Sequence, residues 1–154
     1  MAFNSLAKDQ VLSDAIVVDN SVMMRWLFKD GLENDQQYAQ SVLLHIEVDK
    51  PQVIVPYIWV YEASFVVSYY SKKKRVSYEN GINHLDSLFN LCAVIRGEET
   101  PSVLFDFSNA NGLSAYGSSY VMLALQQSSP IATLDKEIIA ASGKLDIEVF
   151  LGQF

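Results

Sequence analysis

Short apolar runs alternate along this chain with longer segments of helical pattern, and this alternation limits the possible folds more than any other feature. Each of the first four runs holds three or four mostly β-branched or small apolar residues, which is typical of a buried strand. The segments between the runs are long enough for helical crossovers, so we predict an α/β fold with a largely parallel sheet. The predicted strands are Ala15–Val18, Val53–Val55, Ala93–Ile95 and Ile131–Leu134, and the run Ile147–Leu151 closes the sheet.

Residue types that favour helix ends set the predicted bounds of the helices. Pro56 suits the first turn of a helix, Ser77 and Asp135 are good N-caps, and Gly31 and Gly112 favour helix ends. The predicted helices are Ser21–Phe28, Asn34–Val48, Tyr57–Ser71, a helix from Ser77 to Leu91, Pro101–Gly112, Ser114–Gln127 and Lys136–Ser142.

Length and composition predict one globular domain, residues 1–154, because half of the residues are apolar and no linker or repeat interrupts the chain. Eleven Lys and Arg against eighteen Asp and Glu give a net charge of −7. This charge argues against a protein whose whole surface binds nucleic acid, but it leaves a local basic groove open.

Several classes of site are excluded by what the sequence lacks. One cysteine, Cys92, and two histidines exclude a disulfide framework and cysteine-based metal cages. There is no glycine-rich nucleotide-binding motif and no Gly-x-Ser-x-Gly motif. Because the sequence also shows no secretory signal and no membrane-spanning run, we expect a cytoplasmic protein.

Acidic residues end two of the predicted strands. Asp19 follows the run Ala15–Val18, and Asp135 follows Ile131–Leu134. Ligands of parallel α/β sheets bind beyond the carboxyl ends of the strands, so both aspartates are candidate site residues. The alternative is that each only caps the helix after it.

Glu62 is the single charged residue of the predicted helix Tyr57–Ser71, which is apolar nearly all round and is therefore predicted to be buried on more than one face. A buried carboxylate needs a cation or hydrogen bonds, unless a polar stripe turns Glu62 to water. Three carboxylates that converge without basic partners would repel one another unless a divalent cation lies among them. Oxygen ligands favour Mg²⁺ or Mn²⁺, the ions of metal-dependent nucleases and phosphatases.

Four segments together resemble the PIN-domain family, and in particular its VapC-type toxins. They are IVVDNSVMMRWLF, VPYIWVYEASFVV, GLSAYGSSYVMLAL and PIATLDKEI, and in this order they span nearly the whole chain. The resemblance implies a three-layer α/β/α sandwich and an Mg²⁺- or Mn²⁺-dependent endoribonuclease, the toxin of a toxin–antitoxin pair. By motif it gives the catalytic and metal-binding roles to Asp19, Glu62 and Asp135, with Ser21 supporting Asp19. It also implies an RNA substrate, an antitoxin partner and a homodimer.

Gly117 departs from that family's pattern, which usually has an aspartate after the motif tyrosine, here Tyr116. A glycine in mid-helix costs about 1 kcal/mol relative to alanine, and the sequence gives no backbone reason for it. One interpretation is a site that still binds one metal ion, with water or Ser118 in the gap. The alternatives are a PIN-like module that has lost catalysis and acts by binding RNA or protein, or a chain in which an original aspartate has been replaced.

Basic residues that could contact RNA phosphates are Arg25, close after Asp19, and the run Lys72, Lys73, Lys74 and Arg75. The alternative for Arg25 is an ion pair with a nearby acid. For the run it is a solvated helix end that the helix dipole favours.

Overall fold

The computed structural model describes residues 14–152. The predicted domain, residues 1–154, includes residues 1–13 and 153–154, which lie outside the described part. The N-terminal segment in which we expect no secretory signal also lies there. The elements are β1 (Ala15–Val18), α1 (Asn20–Leu27), α2 (Glu33–Asp49), β2 (Gln52–Pro56), α3 (Ile58–Lys72), α4 (Tyr78–Leu91), β3 (Cys92–Ile95), α5 (Pro101–Asn111), α6 (Ala115–Gln127), β4 (Ile131–Ala132) and α7 (Lys136–Lys144).

The sheet has the strand order β3-β2-β1-β4, and all neighbouring strands are parallel. Val17 of β1 pairs with Ile54 of β2 on one side and with Ile131 of β4 on the other. The predicted three-layer α/β/α fold with a parallel sheet is confirmed. Because β1 and β4 are neighbours, the residues that follow them meet at one edge of the sheet.

The structure corrects three of the predicted elements. Pro56 ends β2 instead of opening α3, because the next amide, that of Tyr57, still donates to the carbonyl of Ile95 in β3 at 2.9 Å. Strand β4 ends at Ala132, since the amide of Thr133 turns to the Tyr38 hydroxyl, 3.3 Å away. The last predicted strand is reduced to a single parallel bridge between residues 149 and 131.

Helix α3 is buried on one face only, which contradicts the prediction of burial on more than one face. Its buried side chains are Trp59, Ala63 and Val67. Three aromatic rings at a spacing of four residues point to solvent, with exposures of 64% at Tyr61, 73% at Phe65 and 51% at Tyr69. We call these three residues the aromatic stripe of α3. Within residues 14–152, no helix has both the length and the apolar character that crossing a membrane requires.

Candidate active-site cleft

An open cleft of about 450 Å³ lies beyond the carboxyl ends of β1 and β4. It brings together all three carboxylates that the sequence singled out, Asp19, Glu62 and Asp135. The remaining residues that line it are Asn20, Ser21, Met24, Arg25, Asp35, Val66 and Leu134.

Asp19 is buried, with 6% of its surface exposed, and two hydroxyl groups hold its side chain. Ser21 donates to its Oδ2 at 2.7 Å, and Thr133 donates to the same oxygen at 2.8 Å. Burial raises the pKa of Asp19, the two hydrogen bonds oppose that shift, and repulsion from Asp135 adds to it. Both hydroxyls use Oδ2, so neither of them occupies Oδ1.

Glu62 is half-buried on α3 and receives a hydrogen bond from helix α6. The phenol of Tyr120 donates to its Oε1 at 2.8 Å. Burial raises the pKa of Glu62, the hydrogen bond from Tyr120 lowers it, and the negative charge of Asp19 raises it. Burial and the same two carboxylates hold the pKa of Tyr120 far above its usual range, so the phenol remains a donor.

Asp135 is exposed and caps helix α7, as the structural alternative for this residue predicted. Its Oδ1 accepts from the amides of Glu137 at 2.8 Å and Ile138 at 3.3 Å. Its own amide donates to the Thr133 hydroxyl at 3.0 Å. The cap uses Oδ1, so Oδ2 remains for the cleft, and the two roles are compatible.

The charges of the three carboxylates and their arrangement determine which ligand the cleft can bind. No ion pair of the described residues involves any of the three carboxylates. Across residues 14–152, however, no group of three His, Cys, Asp or Glu side chains is arranged to hold one metal ion. Mg²⁺ usually binds through one or two carboxylates and keeps several bound waters. The carboxylate oxygens that line this cleft fit that kind of coordination.

Gly117 lies in the first turn of α6, so the expectation of a mid-helix glycine is wrong. Its amide donates to the Oγ of the N-cap residue Ser114 at 3.0 Å. A Cβ atom at this position would lie 3.3 Å from that oxygen and 3.5 Å from Cγ1 of Ile138, so a small side chain needs only a slight shift of its neighbours.

Ser118 does not fill the gap left by Gly117, contrary to the sequence-based expectation. The side chain is fully buried, and its hydroxyl bonds that of Ser108 on α5 at 2.8 Å. It is absent from the lining of the cleft. The supporting role predicted for Ser21, in contrast, agrees with its contact to Asp19.

The basic candidates separate into two groups. Arg25 lines the cleft, and its Nη1 lies 2.7 Å from Oδ1 of Asp30, so the predicted alternative of an ion pair is present. Lys72, Lys73, Lys74 and Arg75 are exposed at and after the end of α3 and do not line the cleft. Arg75 also approaches Asp30, at 3.5 Å, while the three lysines form no ion pair with the described residues.

Thr133 and Tyr120 support the cleft but were not identified as site residues from the sequence. Thr133 lies two residues before Asp135, and a hydroxyl at that spacing is a signal for a local hydrogen bond. Tyr120 gave no such signal, because a tyrosine on the buried face of a helix is expected to be part of the core.

Comparison with known proteins supports the fold. Neither a protein-family model nor a curated protein sequence matches the chain. Several solved structures are similar to it, including two crystal structures. PAE2754 from Pyrobaculum aerophilum has a TM-score of 0.61 and 18% identity, over 83% of this chain and 79% of that chain. FitAcB from Neisseria gonorrhoeae has a TM-score of 0.56 and 21% identity, over 88% of this chain and 96% of that chain. Both are PIN-like, so the fold of this chain is PIN-like.

Proposed function

We propose that this chain is a metal-dependent endoribonuclease that cleaves RNA phosphodiesters in the cytoplasm as the toxin of a toxin–antitoxin pair. The observation that carries the proposal is the cleft that collects Asp19, Glu62 and Asp135, none of which forms an ion pair with another residue of the part that the structure describes. Carboxylates repel RNA phosphates, so a cleft of this kind serves phosphodiester chemistry only together with a cation. The PIN-like fold and the motif resemblance agree with this function.

Mg²⁺ or Mn²⁺ would be held by the free oxygens of Asp19 and of one further carboxylate, Glu62 or Asp135. Bound there, the ion would lower the pKa of a water molecule and neutralise charge on the phosphodiester. Ser21 and Thr133 fix the direction of Asp19 through its Oδ2. The cap contacts of Asp135 fix that side chain in the same way.

RNA would reach the cleft past Arg25, whose guanidinium lies in its lining and can meet a phosphate oxygen. The exposed residues Lys72, Lys73 and Lys74 would bind phosphates farther along the strand. These contacts concentrate positive charge locally on a chain whose net charge is −7.

Protein partners belong to the same proposal. A homodimer would cover the aromatic stripe of α3, because three large exposed rings on one helix face form the kind of apolar surface that protein interfaces bury. The small antitoxin protein would bind elsewhere on the chain and inhibit cleavage.

A second candidate function is supported by Gly117, the position where the resembling family usually has an aspartate. Without that carboxylate the chain would be a PIN-like module that binds RNA or protein without cleaving RNA. The absence of a three-ligand arrangement in residues 14–152 agrees with this alternative.

Cleavage of a mixed RNA pool with Mn²⁺ separates the two candidates. We expect the parent to cleave, Asp19→Asn to be inactive, and Asp106→Asn, which changes an exposed carboxylate of α5, to behave as the parent. Cleavage only by Gly117→Asp, and not by the uncharged Gly117→Asn, would establish the binding module. Equal cleavage by the parent and Asp19→Asn would overturn the assigned site.

A further inference from the structure

Helix α6 reaches the candidate site through Tyr120. The helix carries no Asp or Glu, and none of its residues lines the cleft. Tyr120 is 1% exposed and is among the largest fully buried side chains of the protein. Its phenol donates to Oε1 of Glu62, on α3, at 2.8 Å.

Glu62 needs such a contact if it is to face the cleft in one orientation. A glutamate side chain has three rotatable bonds, and fixing them costs conformational entropy. Glu62 is only half-buried, so packing alone restrains it less than it restrains a core residue. The negative charge of Asp19 also acts on the Glu62 carboxylate and disfavours a close approach.

The ring of Tyr120 is well suited to restrain this carboxylate. It is packed in the core on all sides, so its hydroxyl oxygen has a fixed position. A donor held in this way determines where Oε1 lies, and Oε2 is then left for a ligand in the cleft.

We propose that Tyr120 is the positioning residue of Glu62, holding one carboxylate oxygen so that the other is presented to a divalent cation. The inference rests on the proposed function, because it assigns the cation to this cleft. It gives α6 a role in the site that requires no carboxylate on that helix.

The first test measures the orientation of Glu62 in the metal-free protein. NMR couplings across the Glu62 side chain should report one rotamer in the parent and an average of rotamers in Tyr120→Phe, which keeps the ring but removes the donor. Tyr116→Phe makes the same chemical change at an exposed position of α6 and should leave Glu62 ordered. An ordered Glu62 in Tyr120→Phe would overturn the proposal.

The second test titrates Mn²⁺ while following the thermal midpoint and RNA cleavage. Loss of a partner that orients a metal ligand weakens metal binding about 10- to 100-fold, so the half-saturating Mn²⁺ concentration should rise by that factor in Tyr120→Phe. The maximal cleavage rate should recover at saturating Mn²⁺. A lower maximal rate with an unchanged half-saturating concentration would contradict positioning through Glu62. If Mn²⁺ has no effect on the parent, the proposed function fails, and the NMR experiment still decides whether Tyr120 orients Glu62.

Discussion

Thr133 donates to Oδ2 of Asp19 across a distance of 2.8 Å, and this contact joins the ends of two neighbouring strands, β1 and β4. The same hydroxyl accepts from the amide of Asp135 at 3.0 Å. One threonine therefore contacts the carboxylate of Asp19 and the backbone of Asp135. Asp19 lies in the buried part of this arrangement and depends on hydroxyl donors, while Asp135 stays exposed.

The first prediction concerns the contribution of this hydroxyl to stability. Thr133→Val keeps the shape of the side chain but leaves the buried carboxylate of Asp19 with one donor fewer. We expect a loss of about 1–3 kcal/mol in the free energy of unfolding, measured by urea denaturation. Ser87→Ala removes an exposed hydroxyl from α4 and should change the value by no more than about 0.5 kcal/mol. Equal effects of the two variants would refute the role given to Thr133.

The second prediction concerns pH. Burial raises the pKa of Asp19 and of Glu62 above their values in the unfolded chain. Between the unfolded and folded pKa values the folded chain binds more protons, so the free energy of unfolding falls as the pH rises through that window. Asp19→Asn removes one of these groups and should raise the stability at neutral pH and flatten the dependence.

Urea denaturation at a series of pH values that starts at about 4, near the unfolded pKa of a carboxyl group, and continues to neutral pH measures this dependence. Asp106→Asn, an exposed carboxylate of α5, is the matched control and should keep the slope of the parent. If Asp19→Asn and the parent have the same slope, the burial of Asp19 does not control the pH response.

The third prediction concerns Asp30, which lies between three partners. Arg25 is 2.7 Å from its Oδ1, Arg75 is 3.5 Å from its Oδ2, and the Tyr70 hydroxyl donates to the same Oδ2. Hydrogen bonding by Tyr70 and the two guanidinium groups lower the pKa of Asp30 despite its partial burial. This group therefore contributes stability above its unfolded pKa, and the contribution is lost as the pH falls through the folded pKa.

Asp30→Asn should accordingly cost about 1–3 kcal/mol at neutral pH, because it weakens hydrogen bonds to a charged group that is 27% exposed. Asp49→Asn tests an exposed pair, with His45 at 2.6 Å, and should cost less than about 1 kcal/mol. Chemical denaturation of both variants provides the comparison, and a smaller effect at Asp30 than at Asp49 would contradict the prediction.

Most of the fold could be predicted from the sequence because its signals are local. Strand β1 has the predicted bounds, and Ser77 caps α4 through the amide of Asn80 as expected. Pro56 was misplaced because a proline also fits the end of a strand whose next residue, Tyr57, continues the pairing. The apolar composition of α3 predicted burial, but composition does not distinguish a face packed in the core from a face exposed to solvent.

The candidate site was predicted less completely. Asp19 and Asp135 follow strands, and that position alone brought them to one edge of the sheet. Tyr120 could not be linked to Glu62, because the contact joins positions 58 residues apart and depends on where α6 packs against β1 and β2. The distance between carboxylates likewise comes from tertiary packing, which no spacing in the sequence reports.

The fourth prediction concerns the homodimer. Phe65 is 73% exposed at the centre of the aromatic stripe of α3. Phe65→Glu places a charge in the proposed interface and should convert a dimer to a monomer in sedimentation velocity experiments. Leu32→Glu changes a side chain that is 70% exposed next to α2, and it should remain dimeric. If the parent is monomeric, or if Phe65→Glu is still dimeric, the aromatic stripe of α3 is not a dimer interface.

The last prediction concerns the lysines after α3. Lys72, Lys73 and Lys74 are exposed and form no ion pair with a described residue, so their charges are available to RNA phosphates. Each phosphate contact on single-stranded RNA contributes about 0.7 to the slope of log affinity against log salt concentration. Replacing all three with glutamine should therefore lower that slope by up to about 2, with weaker binding of RNAs of any sequence.

The matched control replaces Lys50, Lys136 and Lys144, which are exposed on other elements, and should keep the slope of the parent. Binding is measured with Asp19→Asn as the background, so that cleavage does not consume the RNA. An unchanged slope in the first triple variant would mean that these lysines do not contact RNA. They would then be solvent-exposed charges at the end of α3, which the helix dipole favours.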